Sequence, residues 1–134
     1  MMTAKEYLLQ VKDLYIECKR IREHIQRLRD TLDISGVRYD KENVQGTPEA
    51  DKFSAVFAQI EEYDYKLQKC EGKYIDVRLK VMEMINQCEH SDILYSVYID
   101  FKSLKQSAAD LGYCYGYAKS LHHLALMEFE KLLT

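Results

Sequence analysis

Apolar residues recur every seven positions along two long stretches of this 134-residue chain. In the first, Ala4, Val11, Cys18, Ile25 and Leu32 take one position of the repeat, and Tyr7, Leu14, Ile21 and Leu28 take the other. In the second, one series is Phe53, Ile60, Leu67, Tyr74, Val81 and Cys88, and the other is Val56, Tyr63, Cys70, Val77 and Met84. Seven-residue spacing keeps one stripe of a helix turned to one neighbour, so each stretch reads as a coiled-coil seam. With one Pro and five Gly in the whole chain, little interrupts long helices.

Local signals set the expected boundaries. Thr3-Ala4-Lys5-Glu6 fits a capping box, which opens a first helix over about 3–32. Thr47 suits an N-cap and Pro48 the first helical position, which opens a second helix over about 48–88. Gly72 lies inside it and weakens it locally by about 1 kcal/mol against Ala. Residues 33–47 form a polar connection, long for a helical hairpin. The simplest packing is an antiparallel hairpin over residues 1–89. Pairing Leu28 with Phe53 sets Ile21 near Ile60, Leu14 near Leu67 and Tyr7 near Tyr74, with Lys19 and Arg20 beside Glu61 and Glu62. Val81, Met84, Ile85 and Cys88 then overshoot the first helix. They are left to cover the C-terminal segment or to form a homodimer through that end. The basic run at residues 19–29, KRIREHIQRLR, reads either as a phosphate-contacting arm or as an ion-paired flank facing Glu61 to Asp64. Flanking charges commonly set coiled-coil orientation, which favours the flank.

Residues 90–134 have a different rhythm. Ser91-Asp92 caps a helix through about Ile99. Ser103-x-x-Gln106 is a second capping box, opening a short helix through Leu111. Gly112 fits the left-handed residue that closes it, and Tyr113 and Cys114 complete a turn. A final helix runs from about Tyr115 to Leu132, with Ala118, Leu121, Ala125, Phe129 and Leu132 as its inner face. A short helix, a Gly-containing turn and a longer helix make a helix-turn-helix, whose second helix meets base edges in the major groove. The expected fold is all-α: a long antiparallel coiled-coil hairpin followed by a small helix-turn-helix unit. The base-facing candidates are Tyr115, Gly116, Lys119, Ser120, His122 and His123, and Lys102, Lys105 and Lys119 would hold phosphates.

Three stretches carry a resemblance. TAKEYLLQV opens the chain, VRYDKENVQGTPEADKFS connects the long helices, and YIDFKSLKQSAADLGYCYGYAKSLHHLALMEFEKL closes it. Together they resemble a family of small phage and prophage proteins. Those proteins join a helical hairpin to a helix-turn-helix similar to region 4 of bacterial sigma factors. The resemblance implies transcription regulation or promoter binding. The chain departs from the family pattern where Arg or Lys is common, at Gly116, Ser120 and Leu124. It has Ser107 where Ile is usual, and Phe101 where Gly is usual between the first two helices of the motif. Guanine readout needs a bidentate Arg or a Lys, and phosphate anchoring needs several cations. From Ser91 to Thr134 there are four Lys, no Arg and five Asp or Glu.

Composition excludes other classes. No apolar run approaches the length of a membrane span, and no basic segment followed by an apolar one marks a signal peptide, so the expected location is cytoplasmic. Cys18, Cys70, Cys88 and Cys114 form no Cys-x-x-Cys pair and read as reduced core thiols rather than zinc ligands. Adjacent His122 and His123 point about 100° apart on a helix, too far to share one ion with Cys114. Of Tyr113, Tyr115 and Tyr117, the first and last read as packing between helices; Tyr115 reads equally as a stacking surface. No phosphate loop or nucleophile motif is present, so neither catalysis nor a cofactor or metal is expected. A net charge of −3 argues against unspecific nucleic-acid binding. Two functions follow. The first is a phage-type regulator on promoter DNA or RNA polymerase. The alternative is a phage-encoded inhibitor or adaptor that uses a degenerate helix-turn-helix to bind a host protein.

Overall fold

The computed structural model describes residues 2–39 and 48–134, with side chains over 2–33 and 51–134; the Thr47 cap and residues 40–47 lie outside that range. The described residues are all-helical. Helix α1 (Ala4–Tyr39) and helix α2 (Pro48–Ile85) are followed by α3 (Ser91–Leu94), which widens into a π-helical turn over Tyr95–Ile99. Then come α4 (Leu104–Leu111) and α5 (Tyr115–Leu132). At the start of α1 the expected capping box is complete. The Glu6 amide donates to Thr3 Oγ1 at 3.2 Å, and the Thr3 amide donates to Glu6 Oε1 at 3.1 Å. The Thr3 amide first, then the Thr3 hydroxyl, holds the Glu6 carboxyl below its ordinary value.

Two compact units divide the helices rather than separate them: residues 16–72 form one, and residues 1–15 with 73–134 form the other. In the first, α1 and α2 pair antiparallel with Cys18, Ile25, Ile60 and Cys70 buried. Cys18 meets Cys70 and His24 packs on Tyr63 with ring centres 4.3 Å apart. This register differs by one heptad from the expected one, which set Cys18 opposite Tyr63. The reason is that α1 continues to Tyr39 instead of ending near Leu32, which moves the midpoint between the helix ends along the chain. The basic run accordingly finds another partner. Arg22 pairs with Glu71 at 2.8 Å, and neither Lys19 nor Arg20 is ion-paired with Glu61 or Glu62.

In the other unit one core is built from three sources: Ala4, Leu8 and Val11 of α1; Val81 and Ile85 of α2 with Cys88 beyond it; and Ile93, Leu94, Tyr98, Ile99, Ala108, Ala118, Ala125 and Phe129. Val81, Ile85 and Cys88 are therefore covered by the chain's own C-terminal helices. Leu8 lies outside the heptad seam yet is fully buried, because a helix flanked by several neighbours needs a wider apolar stripe than a two-helix seam. The Tyr7 and Phe129 rings, 5.8 Å apart, tie the first turns of α1 to α5.

Two positions in this unit hold polar or strained residues in place of what the resemblance expects. Ser107 is fully buried and accepts a hydrogen bond from buried Ser96 Oγ at 2.7 Å, so an Ile-like site is filled by a satisfied hydroxyl pair. Phe101 has φ 57°, the left-handed region, which explains why Gly suits that position. Its ring packs 5.1 Å from Tyr15, and Arg78 reaches the carbonyl of Ile99 at 3.3 Å just before it.

Two substitutions check this packing. Gly72 is exposed within α2 with nothing within 4 Å of an added Cβ, so Gly72→Ala should stabilise the chain by about 1 kcal/mol in urea unfolding. A loss would mean that a neighbour approaches there. Ser107→Ala should cost about 1–2 kcal/mol by stranding the Ser96 hydroxyl. The Ser96→Ala, Ser107→Ala double variant should cost less than the two singles together, and strict additivity would rule out the pair.

Candidate nucleic-acid interface

The helix-turn-helix is closed by two local devices. Ser103 Oγ accepts the Gln106 amide at 3.1 Å, capping α4. The Gln106 side chain does not return to Ser103 but donates to Asp110 at 2.9 Å, so only half of the expected box forms. Gly112 is left-handed, with φ 79°. The Gly112 amide donates to the Ala109 carbonyl at 3.3 Å and the Tyr113 amide to the Ala108 carbonyl at 2.8 Å, a Schellman ending. Tyr113 then ties the turn to α3 by donating to Asp92 at 2.9 Å, which raises its phenol above the ordinary value. The expected Ser91-Asp92 cap of α3 is absent. Asp92 accepts the amide of Ile93, and Glu128 of α5 accepts the amide of His90 at 3.1 Å.

Three of the eight candidate residues converge. Lys105 of α4 and Lys119 of α5 both stand over the Tyr115 ring, at 5.7 and 5.2 Å from its centre. Tyr115 is 44% exposed, and neither lysine is ion-paired among the described residues. An aromatic face flanked by two cations is a surface for stacking and phosphate contact. His123 and Ser120 are exposed on α5, and the Ser120 hydroxyl turns back to the Gly116 carbonyl at 3.4 Å. Tyr117 does not pack between helices as expected; it is 53% exposed and touches Tyr113 edge-on.

Lys102 and His122 are committed elsewhere. Lys102 pairs with Asp110 at 2.7 Å; that bond raises the lysine and, with Gln106, lowers the carboxyl. His122 is half-buried, stacked against Tyr98, with Nε2 2.7 Å from the Tyr98 hydroxyl. Burial first, then Lys5 and His123, lowers the imidazole below its usual value, while burial pushes Tyr98 up to about 12. The Tyr98 hydroxyl and His122 Nε2 share one hydrogen bond whose direction follows the imidazole tautomer, and this contact turns the ring away from the exposed face of α5. His122 lines a cleft together with Leu9, Val97 and Leu104 and the lysines Lys5, Lys12 and Lys102. The two α1 lysines were missed by motif reasoning, although their seven-residue separation in sequence places them on one stripe.

Elsewhere, Glu89, His90 and Glu128 bring ligand atoms within 4.8 Å of one another at the corner between α2 and α3, the described group that could hold a metal ion. Among the described residues no helix is long and apolar enough to cross a membrane. Comparison with protein-family models, curated sequences and solved structures found no match to this chain.

The His122 contact gives a pH dependence of known sign. A folded-state value below the ordinary 6.5 means that unfolding takes up a proton. The contribution is complete above 6.5 and is lost as pH falls through the lowered folded value. Urea midpoints should drop from pH 7.5 to pH 5.5, and more steeply than in His122→Gln, which keeps an acceptor for Tyr98. Equal slopes would show that His122 is not the group responsible.

Proposed function

We propose that this chain is a DNA-binding transcription regulator of the phage type, docking α4 and α5 on promoter DNA alone or together with RNA polymerase. The observation that carries this reading is the convergence of Lys105 and Lys119 on the exposed residue Tyr115, where α5 begins. In a helix-turn-helix that region enters the major groove. Tyr115 and His123 offer contacts to bases, and the two lysines hold phosphates. Lys102 joins only if its bond to Asp110 opens. With so few cations the affinity of one copy is low, and a second copy or the polymerase supplies the rest.

A second reading has its own support. Tyr117, Leu124 and Met127 are 53%, 46% and 48% exposed on the outer side of α5, with Ser120 among them. An apolar stripe suits a host protein better than a phosphate backbone. In this reading the chain is a phage-encoded inhibitor or adaptor. Recovery of one stoichiometric protein from nuclease-treated host lysate, lost on Leu124→Glu, would favour it over DNA binding.

Salt dependence tests the first reading. Anisotropy on duplex DNA should weaken with a log–log slope of about −2, one phosphate for each of Lys105 and Lys119. Lys119→Ala should bring the slope to about −1, and Asp110→Asn, which frees Lys102, to about −3. Absence of binding at low salt, or a slope that Lys119→Ala leaves unchanged, would contradict it.

A further inference from the structure

Cys18 and Cys70 face each other across the α1–α2 pair of the unit formed by residues 16–72, with Sγ atoms 2.8 Å apart. Both occupy seam positions, and both are buried, Cys18 at 1% and Cys70 at 6% exposure. Seam side chains are fixed by the register, so the proximity is set by the helices rather than by a mobile loop. A disulfide needs a separation of about 2.05 Å, so closing the bond asks for less than about 1 Å of sulfur movement. The other two cysteines lie elsewhere: the Cys88 thiol donates to the Met84 carbonyl, and Cys114 is exposed at the start of α5.

We infer that Cys18 and Cys70 form an oxidation site that closes to an intramolecular disulfide when a peroxide reaches it. Cys70, the more exposed residue of the pair, attacks the peroxide O–O bond through sulfur and gives its thiol proton to the departing oxygen. The S–O bond forms and the O–O bond breaks, and the departing oxygen leaves as water once protonated, which gives the sulfenic acid. The Cys18 sulfur then attacks the Cys70 sulfur. The S–S bond forms, the S–O bond breaks, and the hydroxide leaves with the Cys18 proton as a second water. Two thiols are oxidised and one peroxide is reduced to two waters. Burial first, then the bond to Cys70, raises the Cys18 thiol, so Cys18 keeps its proton until the neighbouring sulfur is oxidised. The product staples α1 to α2 across 52 residues of sequence and limits separation of the two helices in this unit.

The test treats the full chain with hydrogen peroxide, unfolds it, alkylates the remaining thiols and maps the peptides. The expected product is a Cys18–Cys70 crosslinked peptide lighter by two hydrogens, with Cys88 still alkylated, a higher urea midpoint, and loss of the crosslink in Cys70→Ser. Because buried thiols react slowly, the chain is also refolded from urea in a glutathione redox buffer, where the same pair should predominate. Recovery of Cys18 and Cys70 as free thiols in both treatments, or disulfides scattered over all four cysteines after refolding, overturns the inference.

Discussion

Phe129 is the residue on which the C-terminal half of the molecule depends. It is fully buried, it packs against Tyr7 from the start of α1, and it shares a core with Leu8, Val81, Ile85, Ile93 and Leu94. The helices α3, α4 and α5 are short or moderately amphipathic, and helices of such length gain most of their stability from packing. Here the packing partner is the open end of the two long helices. The helix-turn-helix is thus held by the coiled-coil segments, and its presented face is fixed by what α5 must bury. Ala118, Leu121, Ala125 and Phe129 face inward, which leaves Tyr115, Lys119 and His123 exposed.

The polar and strained positions are consequences of the same core. A buried Ser at 107 would be costly alone, but Ser96, in the π-helical turn, supplies its partner. The wider turn carries the chain into a left-handed residue at 101, where a Phe adds a ring contact with Tyr15 in return for backbone strain. His122 likewise exchanges a place on the exposed face of α5 for a bond to Tyr98. Each adjustment favours the packed state over a densely cationic surface, consistent with the absence of Arg from residues 91–134.

Much of the fold could be read from spacing and caps. Thr3 with Glu6, Ser103, Gly112 and the inner face of α5 act through residues close in sequence, so their geometry follows from local rules. The hairpin register was not legible, for a physical reason. A seven-residue repeat looks the same after a shift of seven, so apolar pairing alone cannot choose between registers; the length of α1 beyond Leu32 chooses. Leu8 escaped notice because it belongs to a second face that exists only once the C-terminal helices dock. In the candidate interface, Lys105, Tyr115 and Lys119 were legible as residue types, while the loss of Lys102 to Asp110 and of His122 to Tyr98 required the tertiary contacts.

The central claim is that the ends of the long helices and the C-terminal helices share one cooperative core. Amide hydrogen exchange in the native chain and in Leu8→Ala tests it most directly, since that substitution removes a buried side chain from α1 alone and should cost about 2–5 kcal/mol. If the core is shared, protection at Ala125 and Phe129 in α5 falls by the same free energy as at Val81 and Ile85 in α2. If α5 keeps its native protection while α1 and α2 lose theirs, the helix-turn-helix stands on its own and the account is wrong.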